Sequence, residues 1–221
     1  MTRFAYALLM AAIAAPTTSA EAGVFELDAQ IQTGLMGGTG FSGDRKDEAF
    51  AKRTRGFGYG ALVGVEFLFI DSWIEHNQYY DDGVHGTWTQ FMLGLDINAD
   101  IGGKKGPPPV QGKKDDRISK GFVEIGVAVG FGVGTGAQVD PPLDKTEVTD
   151  RGFVGQLQLD FGYRINKVMS IGVHIPIQAG YLFRAEDPAG DPANANDLSN
   201  HYGSISGAAL LTMRANFSLT D

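Results

Sequence analysis

Between residues 121 and 219 four segments alternate large apolar residues with small or polar ones, over lengths greater than most soluble strands. In one of them Val123, Ile125, Val127, Val129, Phe131 and Val133 share a face, and Glu124, Gly126, Ala128, Gly130 and Gly132 occupy the other. A period of two is the side-chain period of a β-strand. A soluble barrel turns its apolar face inward. Here one face is glycine and acid and the other is bulky hydrocarbon, the arrangement of a barrel whose outside meets lipid. The pattern predicts an all-β chain forming an eight-stranded antiparallel up-and-down transmembrane β-barrel.

The same alternation places strands at residues 24 to 37, 56 to 70, 73 to 80, 87 to 101, 123 to 133, 152 to 164, 169 to 183 and 202 to 219. The third, W-I-E-H-N-Q-Y-Y, is polar on both faces, and is retained because an even strand number returns both termini to one side of the membrane. A carboxylate facing lipid is costly, so Glu75 is expected inward, with Ile74, His76, Gln78 and Tyr80 outward. Polar groups in hydrocarbon need partners, which makes His76 and Gln78 candidate contacts for another envelope protein.

With the strands running up and down, Phe25, Phe67, Phe69, Phe161, Tyr163 and Phe217 gather near one rim, and Phe57, Tyr59, Phe131, Phe153, Tyr181 and Phe183 near the other. Two aromatic girdles are what the two membrane interfaces require. Residues 38 to 55, 134 to 151 and 184 to 201 read as long outer loops, and Asp71-Ser72 and Ile165-Asn166-Lys167 as tight periplasmic turns. Strand parity also assigns the long segment 102 to 120 to the periplasm. In it Lys104, Lys105, Lys113, Lys114 and Arg117 flank three prolines, an extended basic stretch suited to docking acidic envelope partners.

The N-terminus indicates the compartment. Arg3, an apolar run over residues 4 to 15 and a small-residue tail with Ala20 and Ala22 form a secretory signal peptide at 1 to 22, leaving 23 to 221 as the barrel. The run is shorter than the roughly 20 residues of a spanning helix, and no later stretch comes near that length, so entry into a membrane requires strands. The net charge of -8 excludes a nucleic-acid partner, whose phosphates demand a basic surface. The absence of cysteine excludes a disulfide framework and a Cys-ligated zinc site.

The inner face collects Glu26, Asp28, Glu66, Asp96, Asp100, Glu124 and Asp160, against Arg164, Arg214 and His174. Eight strands enclose a lumen just wide enough for side chains to fill, so these groups are expected to form a polar plug. The alternative is a narrow cation-preferring water path beside the glycines. Arg214 lies on the closing strand and is expected to pair with Glu26 or Asp28. Residues 130 to 136 read G-x-G-x-G without dinucleotide spacing, and His201 and Ser204 fall on opposite faces of their strand. No cofactor, metal or catalytic site is expected.

With signal peptide, amphipathic strands and aromatic girdles together, the chain resembles the small eight-stranded outer-membrane proteins of Gram-negative bacteria, the OmpA/OmpX/OmpW-like class. The resemblance implies an integral outer-membrane protein, in contact with outer-membrane lipid and non-enzymatic, with a structural or interaction role through its extracellular and periplasmic loops. A narrow pore or transporter for cations or small apolar molecules, and a barrel subunit of an envelope-spanning motility or secretion machine, are the alternatives. No motif selects among them.

Overall fold

The computed structural model describes residues 25–43, 56–68, 70–81, 84–102, 119–140, 144–186 and 201–218. Residues 1 to 22, expected as a signal peptide, Phe69 and the basic residues Lys104, Lys105, Lys113, Lys114 and Arg117 lie outside them. The strands are β1 (Phe25–Ser42), β2 (Gly56–Phe67), β3 (Ile70–Asp81), β4 (Val84–Ile101), β5 (Gly121–Asp140), β6 (Asp144–Arg164), β7 (Met169–Glu186) and β8 (His201–Ser218). Each pairs antiparallel with the next, and β8 with β1, so the sheet closes and leaves no edge. Following the register from Glu26 through Glu66, Asp71, Gly94, Ala128, Gln156, Gln178 and Ser206 returns to β1 at Gly38, twelve residues further on. That stagger tilts every strand against the barrel axis and narrows or widens the lumen with it.

The polar third strand is present, with Trp73, Glu75, Asn77 and Tyr79 buried and Ile74 and Tyr80 exposed, as the cost of a lipid-facing carboxylate requires. The turn before it lies elsewhere than expected. Asp71 and Ser72 are strand residues of β3, paired with Glu66 and Val65, and Ile70 opens that strand instead of ending β2. The reversal is the two-residue connection 68–69, where Leu68 adopts φ 61. Two-residue hairpins call for left-handed residues because their twist then matches the strands, and a leucine gives no sequence signal of that demand. At the β6–β7 turn the expectation holds: Asn166 Oδ1 accepts from the backbone N–H groups of Val168 (2.8 Å) and Met169 (2.7 Å).

The segment 134 to 151, expected as an outer loop, is mostly strand. The β5–β6 ladder continues from Gly134↔Asp150 to Asp140↔Asp144, so the hairpin projects beyond the apolar belt. Strands β1 and β7 likewise run on to Ser42 and Glu186. Above the membrane both faces of a ladder meet water, so the hydrophobic alternation fades while the backbone pairing persists.

The outside carries the apolar face along its whole circumference: Leu35, Ile74, Phe91, Val129, Phe153 and Leu211 are all exposed. The Phe25–Phe67 rings (5.2 Å) and the T-shaped Phe131–Phe153 pair (5.6 Å) mark the two rims. Val127 sits between Leu95 and Leu157 in the register and is 55% exposed on that belt. Val127→Arg should cost about 2 to 4 kcal/mol of insertion stability, read by urea titration of the heat-modifiable gel band. An unchanged midpoint would place this wall outside hydrocarbon.

Candidate functional site in the barrel lumen

The lumen is filled in three zones. At the end where β1 begins and β8 finishes, Glu26, Asp28, Glu66, Asp71, Asp96, Glu124 and Asp160 face inward around Arg214. Arg214 Nη1 donates to Glu124 Oε2 (2.8 Å), Nε donates to Gln30 Oε1 (3.1 Å), and Nη2 lies 3.8 Å from Asp160 Oδ1. The expected partners Glu26 and Asp28 are not the ones it takes. The closing register sets Arg214 against Gln30, and the long guanidinium arm then reaches the opposite wall of a narrow lumen. His174 Nδ1 is hydrogen-bonded to Asp160 Oδ1 at 2.8 Å. Asp28 Oδ1, Asp71 Oδ1 and Asp160 Oδ2 are buried without a hydrogen-bond partner among the described residues. Arg164 closes the rim by pairing with Asp100, its guanidinium 5.2 Å from the Phe122 ring.

The middle zone is amide-rich. Glu75 Oε1 accepts from Gln32 Nε2 (2.6 Å) and Asn77 Nδ2 (2.6 Å), and its Oε2 accepts from Gln90 Nε2. Gln178 Nε2 donates to Gln156 Oε1 (2.7 Å) and Gln90 Oε1 (3.0 Å), and Trp88 Nε1 donates to Gln90 Oε1 (2.7 Å). A carboxylate held by three amide donors is a charge-assisted arrangement that fixes amides of β1, β3 and β4 against one another. Glu75 is inward as expected, but neither it nor these glutamines was assigned to the polar plug. Their signal was present, since Gln30, Gln32, Gln90, Gln156, Gln158 and Gln178 all sit at inward positions of amphipathic strands.

An apolar cluster of Trp73, Tyr79, Trp88, Met92, Val154, Leu182 and Tyr202 occupies the remaining cross-section. Three of the inward glycines are backed by large side chains. A Cβ at Gly132 would collide with the Trp88 ring, one at Gly130 with Met92, and one at Gly60 with Asn77. Each glycine is the recess into which a large neighbour folds. At the far end Arg184 Nε donates to Asp150 Oδ1 (3.1 Å) and Tyr202 Oη to Asp150 Oδ2 (2.7 Å), with Arg184 and Asp150 both fully buried. Sequence reasoning had assigned residues 150 and 184 to loops, so this cap was missed.

On the outer wall His76 Nδ1 and Thr89 Oγ1 are 2.8 Å apart, and Tyr59 Oη donates to Gln78 Oε1 (2.9 Å). The two polar side chains facing outward thus find partners on neighbouring strands of the same chain. His201 stacks on Tyr181 outside while Ser204 is buried inside, so they are on opposite faces. Among the described residues no three metal-ligating side chains converge.

No protein-family model matches the chain, and no curated protein sequence matches it. Solved structures do. Neisserial surface protein A superposes with a TM-score of 0.50 at 8% identity, covering 88% of this chain and 97% of that one. The N-terminal β-barrel domain of OprF from Pseudomonas aeruginosa gives 0.41 at 12% identity, covering 86% and 97%. This is an eight-stranded membrane-barrel fold. At such identities the likeness extends to the fold and carries no role.

Proposed function

We propose that this is an integral outer-membrane barrel with an occluded lumen, whose role is structural or interactive and is exercised at its two ends. The signal-peptide pattern of residues 1 to 22 and the continuous apolar exterior support the location. The occluded lumen carries the reading: the Glu75-centred amides, the Trp88–Met92–Tyr79 cluster and the Asp150–Arg184–Tyr202 cap fill the cross-section in succession. A water path for cations would need a continuous polar passage through the apolar cluster. In planar bilayers the purified protein should add no stepwise conductance at neutral pH. Sustained cation-selective steps would overturn the occluded reading and favour the pore.

The interaction role rests on charge. Lys104, Lys105, Lys113, Lys114 and Arg117 form a basic periplasmic stretch on a chain of net charge -8. Changing all five to glutamine should abolish salt-sensitive crosslinking to acidic envelope proteins in intact cells. Undiminished crosslinking would move the docking surface to the opposite end. His76 and Gln78, hydrogen-bonded within the wall, are the weaker docking candidates.

A further inference from the structure

The outer wall holds a concavity that belongs neither to the lumen nor to the rims. Near the end where β1 begins, Ile101, Phe161, Tyr163, Ile171, Val173 and Leu211 surround a shallow depression of about 730 Å³. Gly121 is part of its lining. This outward position of β5 has no side chain, and in the register it lies between Ile101 of β4 and Tyr163 of β6. The slot is walled by hydrocarbon and aromatic carbon, and it faces the same way as the lipid-exposed belt.

The mouth of this slot toward the rim is cationic. Lys120 Nζ lies 5.5 Å from the centroid of the Tyr163 ring, which is itself part of the wall. The same ammonium donates to the carbonyl oxygens of Ile165 (3.3 Å) and Arg164 (3.5 Å). An ammonium has three N–H donors, and two carbonyls leave one for a further acceptor. Arg164 at the same rim pairs with Asp100, so Lys120 does not share that carboxylate. An apolar slot ending under a fixed cation at the level of a membrane interface matches an amphiphile with an anionic head.

We propose that this depression binds one anionic phospholipid from the leaflet at that end of the barrel, an acyl chain along the slot and its phosphate on Lys120. A zwitterionic lipid brings a second cation to the same place and gains less. The inference rests on the membrane-barrel reading above, and the experiment separates the two. The full-length mature protein is refolded into bilayer discs of mixed phosphatidylcholine and phosphatidylglycerol, and the lipids it retains in detergent are weighed by native mass spectrometry. Wild type should retain one phosphatidylglycerol in preference to phosphatidylcholine. Lys120→Gln should lower that preference about fivefold, the scale of one basic residue at an anionic surface. Val173→Trp, which fills the slot, should lower retention of both lipids, with Leu211→Trp as the second filling variant should the first not fold. Equal retention of the two lipids by wild type, or an unchanged preference in Lys120→Gln, would overturn the site. Heat-modifiable migration reports the barrel independently: a wild type lacking it overturns the membrane reading, whereas a shifted wild type without lipid preference overturns the lipid site alone.

Discussion

Arg184→Met should destabilise the barrel by about 3 to 5 kcal/mol, because it leaves the Asp150 carboxylate buried without its cation. Both side chains are fully buried, and Asp150 accepts from Arg184 on one oxygen and from Tyr202 on the other. The remaining tyrosine hydroxyl cannot neutralise the charge. Adding Asp150→Asn to Arg184→Met should recover a large part of the loss, since a neutral amide is cheaper to bury than an unpaired carboxylate. Tyr202→Phe alone should cost less, on the order of 1.5 to 3 kcal/mol, the worth of one hydrogen bond to a charged group. Urea titrations of the heat-modifiable band order the three variants. An Arg184→Met protein as stable as wild type would mean that the extracellular hairpin frays and wets this cap.

Arg214→Met should be damaging for a related reason at the other end, also by about 3 to 5 kcal/mol. The guanidinium bridges Gln30 on β1 and Glu124 on β5 and approaches Asp160 on β6, so its loss exposes two carboxylates to each other at once. Glu124→Gln in that background should restore part of the stability, and Glu26→Gln none. This contrast distinguishes the cross-lumen partner from the neighbours that strand order alone suggested. Rescue by Glu26→Gln to the same extent as by Glu124→Gln would show that the chamber responds to total charge and not to a specific pair.

The legible part of this protein is the part governed by local period. Lipid on one side and a polar filling on the other impose alternation on each strand independently, so β5, β7 and β8 and their inward and outward faces were readable from residues such as Val123 to Val133 without knowing any neighbour. Glu75 inward and Ile74 outward followed from the same cost argument even in a strand with little apolar character. Strand ends were less legible. At 134 to 151 the alternation fades where the β5–β6 hairpin enters water, although its ladder continues, and Leu68 adopts a turn conformation that its side chain does not advertise.

What the tertiary structure alone decided is which inward groups meet. Strand order brings Arg214 beside β1, but the twelve-residue stagger and the narrow lumen let it cross to Glu124. The same closure brings Gln178 to Gln90, 88 residues away, and folds Trp88 into the recess of Gly132. It also aligns Ile101, Gly121 and Tyr163 into one depression beside Lys120. A period-two pattern specifies the face a side chain points to and is silent on register and on the far wall. Partner choice across a lumen depends on closure, which every strand sets jointly and no segment encodes alone.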